Sequence, residues 1–147
     1  MPYWNDKKVL VTGGASFISS HLVDKLFSLG ADVRVADDLS SGKMENLQDS
    51  LNGIDFQKGD LRDRDFTRKV IKGNEVVFHL AACHGGRGFI DTHPADCASN
   101  LVLDGIVFDE AYKAKIDRVC FASSACVYPV QHQKKPVEGK TIYLKEE

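Results

Sequence analysis

A repeated alternation constrains this chain more than any other feature. Residues 8–12, 32–37, 54–58, 75–80 and 118–123 form short runs rich in β-branched and apolar side chains, and helical or turn-rich stretches separate them. Nearly continuous apolar runs predict strands buried on both faces, which implies a parallel sheet covered by helices. Right-handed crossovers then give an α/β fold with a doubly wound parallel sheet, ending after about five strands.

The helices follow from spacing and end signals. Residues 17–29 place Phe17, Ile18, Leu22, Val23, Leu26, Phe27 and Leu29 at helical intervals, and Gly30 supplies a stop. Asp63 is positioned to cap a helix over 63–71, and Pro94 to open a long one to about Lys115. Residues 39–52 are turn-rich, with a short helical turn near Met44, and residues 84–93 read as a loop with three glycines. The expected organisation is one domain over 1–129, followed by a partial segment over 130–147.

Composition narrows the function. The 147 residues carry 19 Lys+Arg against 21 Asp+Glu, a net charge of −2. That lacks the basic footprint of nucleic-acid binding, so no nucleic-acid partner is expected. Hydrophobic content of 43% fits a chain with one core. No apolar run approaches membrane-spanning length, so no membrane partner is expected either. The four cysteines, Cys83, Cys97, Cys120 and Cys126, form no C-x-x-C pair, and a cytoplasmic, reducing location is expected.

In a doubly wound sheet ligands bind beyond the carboxyl ends of the strands. After the first run comes Thr12-Gly-Gly-Ala-Ser-Phe-Ile-Ser-Ser-His21. Gly13 and Gly14 can make the tight turn that brings backbone to a pyrophosphate at a helix N-terminus. The usual further glycines would sit at 16 and 19, where this chain has Ser16 and Ser19. An ordinary strand-to-helix turn is the alternative. Asp37 ends the second run, at the distance of about 20 residues from the glycines where a carboxylate accepts ribose hydroxyls. Asp37 and Asp38 together repel a 2′-phosphate, which favours NAD over NADP. A turn-forming aspartate is the alternative at Asp37.

Five stretches, VTGGASFISSHL (11–22), VADDLSSG (35–42), GDLRD (59–63), VFHLAA (77–82) and FASSACVYP (121–129), together resemble the NAD-dependent epimerase/dehydratases, the extended short-chain dehydrogenase/reductases acting on nucleotide sugars. The resemblance covers nearly the whole chain. It implies that Gly13, Ser16, Phe17 and Ile18 meet the pyrophosphate and that Asp37 holds the ribose. It places Asp60 and Leu61 beside the adenine, and Leu80, Ala81 and Ala82 along the dinucleotide groove. Asn100 matches an asparagine near the cofactor. Ser124 matches a hydroxyl that bonds the sugar hydroxyl being oxidised. Ser-Ala-Cys-Val-Tyr-Pro, with Gly85-Gly86-Arg-Gly-Phe-Ile90, looks most like the GDP-mannose 3,5-epimerases. There a cysteine at the position of Cys126 exchanges protons beside a transient ketone, and Gly85 and Gly86 fall near the substrate. An inert, partly buried thiol is the alternative for Cys126, and a turn hydroxyl for Ser124.

The family also uses a tyrosine with a lysine four residues on, after the fifth strand. Here only Tyr3 and Lys7 have that spacing, ahead of the first strand and therefore in the wrong order. The resemblance thus implies a cofactor lobe that stops before the chemistry is complete, inactive alone, with a nucleotide sugar as the parent's substrate. It implies a homodimer as one arrangement and leaves the oligomeric state open. A non-catalytic dinucleotide-binding or interaction module is the competing hypothesis, motivated by Ser16, Ser19 and the missing tyrosine and lysine pair. Cys83, His84, His93 and Cys97 have poor spacing for zinc, and no metal is expected. His79, inside a strand, reads as a core histidine.

Overall fold

The computed structural model describes residues 3–124. Five parallel strands, β1 (Lys8–Thr12), β2 (Asp32–Asp37), β3 (Asp55–Lys58), β4 (Val76–His79) and β5 (Arg118–Phe121), form one sheet in the order β3-β2-β1-β4-β5. The register is continuous, with Val11 opposite both Val35 and Phe78. Helices α1 (Phe17–Ser28), α2 (Arg64–Ile71), α3 (Arg87–Thr92) and α4 (Pro94–Lys113) complete the elements.

Strand alternation divides the core between two faces. Val9, Val11, Val33 and Val35 are fully buried with Val23 and Leu26 of α1. Leu10, Ala36 and Val77 point the other way, against Val70 and Ile71 of α2 and Val107 and Ala111 of α4. Each fully buried Val or Leu is worth about 1.5–3 kcal/mol relative to exposure. On this second face Glu110 of α4 is buried, and Arg64 (2.7 Å) and Arg68 (3.0 Å) of α2 donate to its carboxylate.

The end signals act as their chemistry predicts. Asp63 accepts from the backbone N–H of Asp65 and Phe66 at the start of α2. Gly30, at φ +85°, closes α1 in a Schellman turn: Gly30 N–H donates to the Phe27 carbonyl and Ala31 N–H to the Leu26 carbonyl. Pro94 opens α4. Between β2 and β3 the turn near Met44 is a 3-10 turn over Met44–Leu47, with a second over Leu51–Gly53.

Residues 84–93 are not all loop, because Arg87–Thr92 form the short helix α3. Its side-chain support comes from within the segment. Phe89 lies against Gly85, where a side chain would meet the ring at 2.6 Å, and stacks on His93 at a centroid distance of 4.3 Å. The expected domain end at 129 and the 130–147 segment lie outside the described residues.

Candidate functional site at the β1–β4 crevice

The sheet order reverses between β1 and β4, so their carboxyl ends diverge into a crevice. Gly13 makes that crevice narrow. Its φ is +67°, and a Cβ there would come within 2.8 Å of the Ala81 Cα. Glycine is therefore required twice, for the left-handed backbone and for the close approach. Gly13 N–H donates to the Ala36 carbonyl at 2.8 Å, which ties the turn to the end of β2.

After the turn, Ser16 precedes α1 with extended backbone (ψ 162°) and no side-chain cap bond. No acidic residue occupies the first turn of α1. The opening N–H groups of this helix thus face the crevice with a positive dipole end, a fit for a phosphate group. Phe17 and Ile18 are exposed there, while Ser19 is buried at 3% and fits the helix–strand packing that a glycine usually serves.

Asp37 is buried at the tip of β2. Its Oδ2 accepts from Ala15 N–H (3.0 Å) and its Oδ1 from Leu39 N–H (2.8 Å). One carboxylate therefore shapes both the glycine turn and the loop after β2. Leu39 is held at φ +62°, an uncommon conformation for a branched side chain, of the kind found where a loop is shaped for binding. Each Asp37 oxygen keeps a second lone pair for a hydroxyl.

Two adjoining cavities occupy the crevice. The first, of about 400 Å³, is lined by Gly13, Ser16, Asp37, Asp38, Asp60, Leu61, Ala81 and Ala82 among others. The second, of about 960 Å³, is lined by Ser16, Phe17, Ile18, Leu80, Ala81, Ala82, Asn100 and Ser124 among others. Ser16, Ala81 and Ala82 belong to both, so one groove runs across the strand ends. Asn100 works here through the backbone of Cys83: its Oδ1 accepts from the Cys83 N–H (2.7 Å) and its Nδ2 donates to the Cys83 carbonyl (2.8 Å). Leu61 is buried, 4% exposed, under the floor of the first cavity.

Gly85 and Gly86 line neither cavity. Gly85 packs on Phe89, and Gly86 precedes α3. Cys126 lies outside the described residues. Tyr3 and Lys7 sit at the opposite, amino end of β1, where Lys7 pairs with Glu75 at 2.7 Å.

Sequence reasoning missed several groups. Arg62 lines the first cavity, and its guanidinium grips the Asp60 carboxylate at 2.8 to 3.0 Å. The Arg62 bonds hold Asp60 below the usual carboxylate range. Phe89 lines the same cavity. A third group, Thr12, His79 and Asp104, is joined to the backbone of Leu80 and Ala81; Thr12 and His79 are buried, and His79 and the partly exposed Asp104 line the second cavity. The Thr12–His79 and His79–Asp104 pairings join residues far apart in the chain, for which the sequence carries no spacing signal. Among the described residues no cluster of three His, Cys, Asp or Glu side chains could hold a metal ion, and no helix is long and apolar enough to cross a membrane.

His79 gives the fold a pH dependence. Burial pushes its imidazole below the ordinary value of 6.5, with Asp104 opposing that shift. The unfolded chain then binds a proton more readily than the folded one. Its contribution to stability is complete above about pH 6.5 and is lost as pH falls from there through the lowered folded value. Thermal unfolding between pH 8 and 5 is expected to show a falling melting temperature, with a smaller slope in His79→Asn.

The sequence model of a family described as the NAD dependent epimerase/dehydratase family matches residues 9–145. A UDP-glucose 4-epimerase of Mycolicibacterium smegmatis is 39% identical over 120 residues, spanning 80% of this chain and 38% of that protein. A GDP-mannose 3,5-epimerase of Arabidopsis thaliana is 34% identical over 147 residues, covering 98% of this chain and 37% of its own. Among solved structures, an epimerase from Methanothermobacter thermautotrophicus superposes with a TM-score of 0.80 at 34% identity, over 92% of this chain and 40% of that one. A UDP-glucose 4-epimerase from Bifidobacterium longum, in complex with NAD+ and UDP, gives a TM-score of 0.74 at 27% identity, over 82% and 38%. The chain therefore spans less than half the length of each of these relatives.

Proposed function

This chain belongs to the NAD dependent epimerase/dehydratase family, and on that premise we propose that it is the NAD-binding portion of a nucleotide-sugar epimerase or dehydratase. The observation that carries the reading is the Gly13–Ala81 approach beside the open start of α1, with the Asp37 carboxylate at the next strand end. A close backbone, a helix dipole and a ribose acceptor are the three features a dinucleotide needs.

In this reading the N–H groups of Phe17 and Ile18 hold the pyrophosphate, with Ser16 alongside. Asp37 accepts the adenosine ribose hydroxyls. Asp60 and Leu61 border the adenine, and Leu80, Ala81 and Ala82 form the inner wall. Asn100 fixes that wall through Cys83. Asp37 and Asp38 exclude a 2′-phosphate. The cation lining the first cavity, Arg62, is already paired with Asp60, so it offers that phosphate no free charge.

When bound, NAD supplies the hydride acceptor that turns a sugar alcohol into a ketone. The chain's own part is to orient. Ser124, in the lining of the second cavity, donates to or accepts from the sugar hydroxyl being oxidised. A ketone acidifies the neighbouring C–H bonds, and Cys126 is the group that exchanges those protons, which places the reading nearest the 3,5-epimerases. Gly85 and Gly86 act on the substrate only through the position of Phe89 and α3. A non-catalytic dinucleotide module, the second reading, rests on the serines at 16 and 19, of which Ser16 lines both cavities.

A ligand that binds the folded state at 100 times its Kd stabilises it by about 2.7 kcal/mol. Thermal unfolding is therefore expected to move upward with millimolar NAD and much less with NADP. In a longer polypeptide that carries a tyrosine with a lysine four residues on after the fifth strand, Ser124→Ala is expected to lower turnover about 100-fold with NAD affinity retained. Unchanged turnover there removes the role assigned to Ser124, and NAD binding without any turnover in that polypeptide favours the non-catalytic reading.

A further inference from the structure

Thr12 Oγ1 is fully buried and has three partners. Leu80 N–H (3.1 Å) and Ala81 N–H (3.2 Å) both donate to it. Its remaining partner is His79 Nδ1, at 2.7 Å. A hydroxyl that accepts two amides has one proton left to give, so Thr12 donates to Nδ1, and Nδ1 is bare. The ring proton then sits on Nε2, which donates to Asp104 Oδ1 at 3.1 Å. The chain of bonds fixes the tautomer.

We propose that neutral His79, oriented by Asp104 and acting through Thr12, positions the Leu80–Ala81 peptide against the cofactor, and that a proton on its Nδ1 releases that peptide and the cofactor with it. The proposal rests on the NAD-binding reading. A protonated Nδ1 would be a third N–H aimed at Thr12 Oγ1. The Thr12 proton would lose its acceptor, and the oxygen could keep its amide partners only against a cation. Ala81 is also the residue that Gly13 abuts, so a displaced 80–81 peptide opens the narrowest part of the crevice.

The surroundings make His79 the responsive group. Thr12 faces it from β1, Phe121 from β5, and Phe108 and Asp104 from α4, with both aromatic centroids at 5.7 Å. Asp104 is the one charged side chain among these. Cys83, His84 and Cys97 line the same cavity and are common to every variant below.

His79 is a positioning residue, so the test reads pH and proton location rather than affinity alone. Nitrogen NMR of the labelled ring at pH 8 is expected to report the Nε2–H tautomer. NAD affinity is expected to fall at least tenfold between pH 8 and pH 5. His79→Asn places a non-titrating amide oxygen near Nδ1, and the step is expected to vanish. Asp104→Asn removes the carboxylate that favours the imidazolium, and the step is expected to move to lower pH. An Nδ1–H tautomer, or the same pH step in His79→Asn as in the parent chain, overturns the proposal. Absence of NAD binding even at pH 8 contradicts the cofactor reading instead. Hydrogen exchange at the Leu80 and Ala81 amides then decides the positioning role. Protection at these amides, measured against the intrinsic exchange rate at each pH, should fall on acidification in the parent chain and not in His79→Asn.

Discussion

Replacing Asp37 with alanine is expected to abolish measurable NAD binding and to lower stability together. The Asp37 carboxylate is buried and accepts from Ala15 N–H and Leu39 N–H. Alanine leaves two N–H groups without that partner, at about 1–3 kcal/mol for each one that stays buried. The loop that holds Leu39 at positive φ loses its anchor as well. For the cofactor, the loss of a charged acceptor of ribose hydroxyls is expected to cost at least 100-fold in affinity, about 2.7 kcal/mol. Asp37→Asn separates the two effects. It preserves the size and one acceptor oxygen, so most of the stability should remain. Without the negative charge, discrimination against NADP should shrink. Calorimetric titration and thermal unfolding on the same samples check both halves.

Gly13→Ala is expected to be the most damaging single methyl group in the described fold. A non-glycine residue in the left-handed region costs about 1–2 kcal/mol. At Gly13 the new Cβ would also lie 2.8 Å from the Ala81 Cα and 2.9 Å from its nitrogen, both backbone atoms that cannot rotate away. Gly73 provides the comparison. Its φ is +85°, and no heavy atom lies within 4 Å of the added carbon. Gly73→Ala should therefore show the backbone cost alone. Gly13→Ala should lose about 3 kcal/mol or more, roughly 10 °C in melting temperature for a chain of this length. It should also lose NAD affinity, because the crevice must widen. Equal losses in the two variants would mean that the Ala81 approach carries no energetic weight.

Much of the fold was legible because its signals are local. Val9, Leu10 and Val11 need no partner to announce a strand buried on both faces. Gly30, Asp63 and Pro94 mark helix ends by their own backbone chemistry. The α3 helix escaped because Gly85, Gly86 and Gly88 depress helix propensity, while its support comes from Phe89 packing back on Gly85 and His93. At the site, Gly13 and Asp37 were legible because motif spacing places them at adjacent strand ends. The Arg62–Asp60 grip was not, since two exposed charges in a polar loop look alike paired or apart. The Thr12–His79–Asp104 chain was not either, since its members come from β1, β4 and α4. His79 alone read as a core histidine, and it is buried; its link to the Leu80–Ala81 backbone emerges only when the strands are side by side.

The central claim is that the groove across the ends of β1, β2, β3 and β4 holds NAD. Isothermal titration of the chain with NAD and, in parallel, with NADP at pH 8 tests it most directly. Saturable binding of NAD at one site is expected, with NADP at least tenfold weaker and both lost in Asp37→Ala. A flat NAD titration, or equal affinity for the two dinucleotides, would contradict it.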